Sequence, residues 1–362
     1  MVKPAKKPFI IAELGTSHGG DAVKAGELVR AAAEAGADCV KCQIVYADEI
    51  LHPKSGLVPL PGGAVPLYET FKKLEQPPEF YANIKECAEK AHVRFLASPF
   101  GPKSAAILRE LSPWAVKIAS PELNYLELLR ETGSWGVPVF LSGGVSTLGD
   151  IETALGTVRA AGSGALTLLH CVTAYPAPCE DYNLRIVANL SHIFGVEAGV
   201  SDHSTDPLIV PLTGLYAGMT VLEKHFCLSR SHGGLDDPVA LEPPAFALMC
   251  RELERAAAAD RAELLRELER SYGAALINAV LGTGVKVLAP SEKENYGRTN
   301  RSLHARAAIN AGETLTADLV GVLRSEKKLR PGLPPCWKDL VIGRRARLPI
   351  PNGEGIRFED LS

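Results

Sequence analysis

No apolar run in this chain reaches the ~18 residues a membrane-spanning helix needs. The N-terminal stretch MVKPAKKPFIIAELG also meets an acid before a signal-peptide core can form. Blocks of lysine or arginine are lacking, and the charge is nearly balanced at 39 basic against 42 acidic side chains. Nucleic acid and anionic membrane are therefore excluded as main partners, because both are held by dense positive charge. A disulfide framework is absent too, since the eight cysteines are scattered through 362 residues. Cys39 and Cys42 form a C-x-x-C, but inside the strand-like run ADCVKCQIV, where residues three apart point to opposite faces. They read as buried thiols rather than a redox pair. Disorder is excluded by 46% hydrophobic and 22% charged residues. With 33 Gly and 26 Pro, the chain reads as a soluble, turn-rich protein expected in the cytoplasm.

What is present is a rhythm. Eight short apolar runs fall at 9–14, 39–44, 93–98, 115–120, 137–142, 166–171, 196–201 and 220–225, and most are separated by amphipathic stretches. Continuous apolar strands alternating with helices predict a parallel sheet covered by helices, and eight such units close a (β/α)8 TIM barrel. An open doubly wound sheet is the rival, weakened because no G-x-G-x-x-G follows the first strand. Residues 45–92 are too long for the pattern and carry a Pro/Gly-rich insertion, expected on the catalytic face. Residues 244–273 read as a long charged helix. The sequence thus divides into a barrel over 1–280, a polar linker over 281–299 and a small β-rich domain over 300–362. That last domain contains an internal echo, AINAGETLTADLV against LPIPNGEGIRFEDLS, which suggests pseudo-twofold symmetry.

Polar residues at the C-terminal ends of barrel strands read as catalytic. Here every strand ends in one: Glu13; Lys41 and Gln43; Ser98; Lys117, Ser120 and Glu122; Ser142; His170; Ser201, Asp202 and His203; Glu223, Lys224 and His225. Burying unpaired charges is costly, so their convergence on one pocket is the economical account. His203 and His225 end neighbouring strands. They fit either a divalent metal site with open positions or a histidine pair hydrogen-bonded to Asp202 and Glu223. His170 reads as a core histidine before a third ligand. Lys41, Lys117, Ser120 and Ser142 suit a phosphate or carboxylate, with Glu13 and Glu122 as acid–base groups.

At these residues the sequence resembles the sialic acid synthase family. The motifs are IAELGTSHGG, VKCQ, ASPF, VKIASPE, FLSGG, LLHCVTAYPAPCEDYNL, GVSDHS, LEKHF and ALEP, in that order. The C-terminal module, from RSLHARAAINAGETLTADLV through RPGLPP, resembles the antifreeze-like (SAF) domain of those enzymes. The resemblance implies condensation of phosphoenolpyruvate with the aldehyde of an N-acylated hexosamine, such as N-acetylmannosamine, giving a nine-carbon 2-keto sugar acid and phosphate. It implies a divalent metal, Mn²⁺ with Mg²⁺ or Co²⁺ as substitutes, on His203 and His225. It assigns phosphoenolpyruvate to Lys117, Ser120 and Ser142, with Lys41 and Ser98 nearby, and acid–base roles to Glu13 and Glu122. Gln43, Thr173, Tyr175 and Asp236 fall to the sugar. Arg301 matches an arginine that reaches into the partner's barrel in a domain-swapped homodimer, and the polar linker has the length for that reach. Pro121, Ser98, Gly143 and Thr173 depart from the usual family residues, which leaves open another nonulosonic acid (legionaminic or pseudaminic) or a phosphorylated sugar.

Two rivals make different demands. A metal-dependent barrel hydrolase would use the histidines but has no need of two strand-end lysines. A carbohydrate- or ice-binding protein would use the terminal module and leave the polar ring without a purpose.

Overall fold

A computed structural model describes residues 6–60 and 63–362. Strands β1 (Phe9–Gly15) and β2 (Cys39–Ile44) are followed by a hairpin, β3 (Leu57–Leu60) and β4 (Gly63–Pro66). Then come β5 (Arg94–Pro99), β6 (Val116–Ile118), β7 (Val139–Ser142), β8 (Leu166–Cys171), β9 (Glu197–Asp202) and β10 (Val221–His225). Leaving the hairpin aside, these strands form one parallel sheet in the order β5-β2-β1-β10-β9-β8-β7-β6. At the seam between β5 and β6 the Trp114 indole donates to the Phe95 carbonyl at 2.6 Å, and the barrel is nearly closed. Parallel neighbours need crossovers, and helices such as Ala22–Glu34, Pro78–Lys90 and Leu148–Ala160 supply them. No helix among the described residues is long and apolar enough to cross a membrane.

Strand alternation sets the interior in layers. Ile11, Cys39, Leu96, Ala115, Phe140, Leu169 and Val221 form one apolar cluster that plugs the floor. Two residues further along each strand stand Glu13, Lys41, Ser98, Lys117, Ser142, Cys171 and Glu223, all buried and all polar or ionisable. The other strand face packs under the helices, where Cys42 lies, so the two thiols of the C-x-x-C point apart and both are free.

Several expected segments are revised. β6 ends at Ile118 because Ser120–Glu122 close a helical turn around Pro121. The insertion after β2 is ordered into a helix at Ala47–Ile50, the β3–β4 hairpin and a helix at Leu67–Leu74. The long charged helix is two, Pro243–Ala257 and Arg261–Tyr272, broken where the Asp260 carboxylate caps the second by accepting from Ala262 and Glu263.

In the terminal domain β11 (Arg301–Ala305) pairs antiparallel with β12 (Val320–Arg324). The two echoing segments meet each other: Ile309 and Ile350 exchange reciprocal backbone bonds of 2.9 Å. Near the end of each segment the chain closes a short helical turn, Ala317–Leu319 and Phe358–Asp360.

Candidate active site

A cavity opens at the C-terminal end of the barrel. Its wall includes Glu13, Lys41, Gln43, Lys117, Ser120, Ser142, Thr173, Tyr175, His203, Glu223 and His225. Register explains the convergence, since Glu13 pairs with Lys41 on β2 and with His225 on β10. A second cavity outside the barrel, between the terminal domain and Asn124, Asp150 and Tyr296, is lined by side chains already paired with protein atoms.

Four charges alternate around the lower ring. Lys41 Nζ lies 2.7 Å from Glu13 Oε2 and 3.8 Å from Glu223 Oε2, and Lys117 Nζ lies 3.6 Å from that same Glu223 oxygen. Lys117 also donates to Ser142 at 2.7 Å, Lys41 to Ser98 at 3.3 Å and Ser201 to Glu223 at 2.9 Å. Burial works against every charge here. It lowers Lys117 despite Glu223, whereas Lys41, between two carboxylates, overcomes burial and is raised. Glu13 is raised by burial against the pull of Lys41, and the charge of Glu223 adds to the rise. Burial would raise Glu223 as well, but the two lysines outweigh it and hold its carboxyl low. Of the two carboxyls, Glu13 is thus the one that takes up a proton more readily, and Glu223 the one held in its ionised form.

Above that ring stand the imidazoles, with centroids 5.4 Å apart. His203 Nδ1 lies 2.9 Å from the Val172 carbonyl, which puts the proton on Nδ1 and turns the Nε2 lone pair outward. Burial alone would lower both rings. The Cys171 sulfur, 3.8 Å from His203 Nδ1, reverses this for His203, while His203 and the lysines add to the fall at His225. Tyr175, partly exposed at the mouth, stacks on His203 at 4.2 Å, its hydroxyl 3.3 Å from Nε2. Gln43 donates to Glu13 at 2.9 Å. Asp236 reaches the same corner: a Cβ at Gly15 would lie 3.3 Å from Asp236 Oδ2 and 3.5 Å from Gln43 Nε2. Burial, and then Glu13, push the Asp236 carboxyl up to about 6.

The reading of His170 as a core histidine holds, and two expectations are corrected. His170 precedes an inward residue and so points out of the barrel, its Nε2 2.5 Å from the Tyr182 carbonyl. Asp202 and Lys224 also face outward, as a fully buried ion pair of 2.6 Å rather than as partners of the histidines. Glu122 is absent from the cavity wall and fully buried, its Oε1 3.0 Å from Arg301 and 2.7 Å from Arg324.

Arg301 in turn contacts Glu122, the carbonyls of Glu49, Ile50 and Phe100, and Val322 of its own domain. In the single chain its donors are directed at these acceptors, and it rests against that chain's own barrel. Nor is the linker a free tether: Gly284, Val285, Lys286, Ser291, Glu292 and Asn300 are all bonded to barrel loops.

Glu223, one of the strand-end polar residues, takes a place on the cavity wall that its inward alternation with His225 marks. Arg324 carries no signal, because only folding brings β12 to the barrel mouth.

A barrel with an apolar floor, a ring of ammonium and carboxylate groups and an imidazole pair at the mouth is the architecture of an enzyme that handles an anionic substrate. The NeuB family model matches residues 28–263 and the SAF domain model matches residues 300–362. The chain belongs to the NeuB family. It is 32% identical to the spore coat polysaccharide biosynthesis protein SpsE of Bacillus subtilis, over 98% of this chain and 93% of that protein. The SpsE crystal structure superposes with a TM-score of 0.81, covering 99% of this chain and 97% of that one. The N,N'-diacetyllegionaminic acid synthase of Campylobacter jejuni is 32% identical over 85% of this chain and 87% of its own length. The N-acetylneuraminate-9-phosphate synthase of Mus musculus is 28% identical over 98% and 92%. Relatives of this chain are therefore nonulosonic acid synthases.

Proposed function

We propose that the cavity condenses phosphoenolpyruvate with the aldehyde of an N-acylated hexosamine, giving a nine-carbon 2-keto sugar acid and phosphate. The observation that carries this reading is the pairing of two buried lysines with two imidazoles on one cavity. A hydrolase would have use for the imidazoles alone. Lys41, Lys117, Ser98, Ser120 and Ser142 hold the phosphate and carboxylate through charge-assisted hydrogen bonds. Gln43, Thr173, Tyr175 and Asp236 orient the sugar over them. The enol carbon attacks the aldehyde carbon, and the proton on Glu13 goes to the new hydroxyl. Ionised Glu13 then takes a proton from the water that adds to C2. The bond from C2 to the bridging oxygen breaks, phosphate departs with that oxygen against the lysines, and the C2 hydroxyl gives its proton to the phosphate as the keto group forms.

The imidazoles fit a divalent metal, Mn²⁺ first and Mg²⁺ or Co²⁺ as substitutes. Nε2 of His203 is outward, and no protein hydrogen bond is made by the His225 ring among the described residues. No third His, Cys, Asp or Glu completes a cluster among the described residues, so the other positions would fall to water and substrate. Such an ion supplies Lewis-acid stabilisation of the aldehyde oxygen.

Phosphate release from phosphoenolpyruvate tests the reaction, assayed against N-acetylmannosamine, its 6-phosphate and 2,4-diacetamido hexoses of the legionaminic and pseudaminic type. Release with one sugar supports the reading and names the acceptor; release with none sinks it. The reading includes a homodimer. Exchange of terminal domains has to compete with the contacts Arg301 makes at home, and mixing Lys117→Ala with Arg301→Ala distinguishes the two cases. Activity returns only if the domain crosses between copies.

A further inference from the structure

Three bonds from the interdomain linker converge on one turn of the barrel. Lys286 Nζ donates to the Gly143 carbonyl at 3.1 Å, Glu292 accepts from Val145 N at 2.5 Å, and Asn300 donates to the Val145 carbonyl at 3.0 Å. That turn, Ser142–Val145, leads out of β7. Val145 stands at φ +40°, left-handed backbone that a β-branched residue adopts only when its surroundings hold it there.

The turn is also pressed into the cavity. A Cβ at Gly144 would lie 2.2 Å from Thr173 Oγ1 and 2.9 Å from Ser120 Oγ, so only glycine permits the approach. Gly144 N donates to Ser120 at 3.1 Å, and Ser142 accepts from Lys117 at 2.7 Å. The turn therefore aims the three groups that would meet a phosphate. Glu292 is buried, yet neither it nor Lys286 lines the cavity. Burial raises the Glu292 carboxyl, while Lys286 and the N–H groups of Val145 and Thr173 favour its charge.

We infer that Lys286 and Glu292 are positioning residues that hold the Ser142–Val145 turn in its strained form, so that Lys117, Ser120 and Ser142 meet a bound oxyanion of the phosphoenolpyruvate class. The identity of the oxyanion rests on the proposed function, but the role of the linker in shaping its seat does not. A linker that merely glued the domains would change stability and leave anion binding alone.

The test uses full-length Lys286→Met and Glu292→Gln. Asn295→Ala is the comparator, because Asn295 bonds the Thr173 carbonyl and not the turn. Hydrogen exchange at Gly143–Val145 and calorimetric titration with inorganic phosphate and phosphoenolpyruvate are the readouts. Both linker variants should exchange faster at Val145 and bind phosphate and phosphoenolpyruvate about tenfold more weakly, the scale of one charge-assisted hydrogen bond. Asn295→Ala should keep wild-type values. Wild-type exchange and affinity in folded Lys286→Met would overturn the inference, even if Glu292→Gln fails to fold. A wild-type chain that binds phosphate but not phosphoenolpyruvate sinks the proposed reaction and leaves the inference standing; one that binds neither overturns the oxyanion seat itself.

Discussion

Arg301 of the terminal domain and Glu122 of the barrel, 179 residues apart, form an ion pair of 3.0 Å in which neither side chain meets solvent. Arg324 reaches the same Glu122 oxygen at 2.7 Å, so one carboxylate anchors two guanidinium groups. The domain is thus fastened by charge where desolvation makes an unpaired group expensive. Arg301→Ala should destabilise the chain by about 3 kcal/mol in urea and make residues 294–300 susceptible to limited proteolysis. Arg301→Lys should not restore it, because a point charge cannot satisfy Glu122 and three barrel carbonyls together. Unchanged urea midpoints would show that the seat is held elsewhere.

Chelation should abolish turnover, and added Mn²⁺ should restore it. Calorimetry should show His203→Ala and His225→Ala losing the ion. Tyr175→Phe should bind it as tightly or more tightly, since it removes the hydroxyl 3.3 Å from His203 Nε2. Weaker binding by Tyr175→Phe would mean that the tyrosine helps to hold the ion.

Gly144→Ala should fold with near-normal helix content and lose anion binding, because its methyl would overlap Thr173 Oγ1 and crowd Ser120 Oγ. Thr173→Ala in the same chain removes the closest atom and should recover part of the affinity. If Gly144→Ala binds phosphate normally, the turn has slack that this packing does not show.

His304 gives a pH signature to the terminal domain. It is fully buried, with Nδ1 2.8 Å from the Gly353 carbonyl, and burial brings its pKa from an ordinary 6.5 to about 4. Between those values the unfolded chain binds a proton that the native one refuses. The contribution of His304 is therefore complete above pH 6.5 and declines by about 3 kcal/mol as pH falls to 4. Urea titrations across this range should show a slope to which His18 and His170, also lowered by burial, contribute, and His304→Gln should make it shallower by its own share.

The barrel was legible because strand identity depends on local pattern. β2 and β8 lie at the expected residues, and the ends of the other barrel strands differ from those expected by no more than two. The inward ring was legible for the same reason, since a period of two places Lys41, Lys117 and His225 without knowledge of the rest. Alternation also marks His170 and Lys224 as outward, since each neighbours an inward residue on its strand. What pattern cannot supply is contact between distant segments. Glu122 resembles an acid–base residue until Arg301 and Arg324 arrive from the other domain, and the linker reads as a tether until its bonds to Gly143 and Val145 are seen.

The apolar floor of Ile11, Leu96, Phe140 and Leu169 makes the barrel a cul-de-sac with one doorway. Lys117 and Ser142 stand one layer nearer that floor than Gln43, His203 and His225, so anything gripping the upper groups blocks the way to the lower. In the proposed reaction traffic would queue: the smaller anion would enter before the sugar, and the long keto acid would leave before phosphate could. An unreactive sugar analogue should therefore inhibit uncompetitively against phosphoenolpyruvate while competing with the sugar.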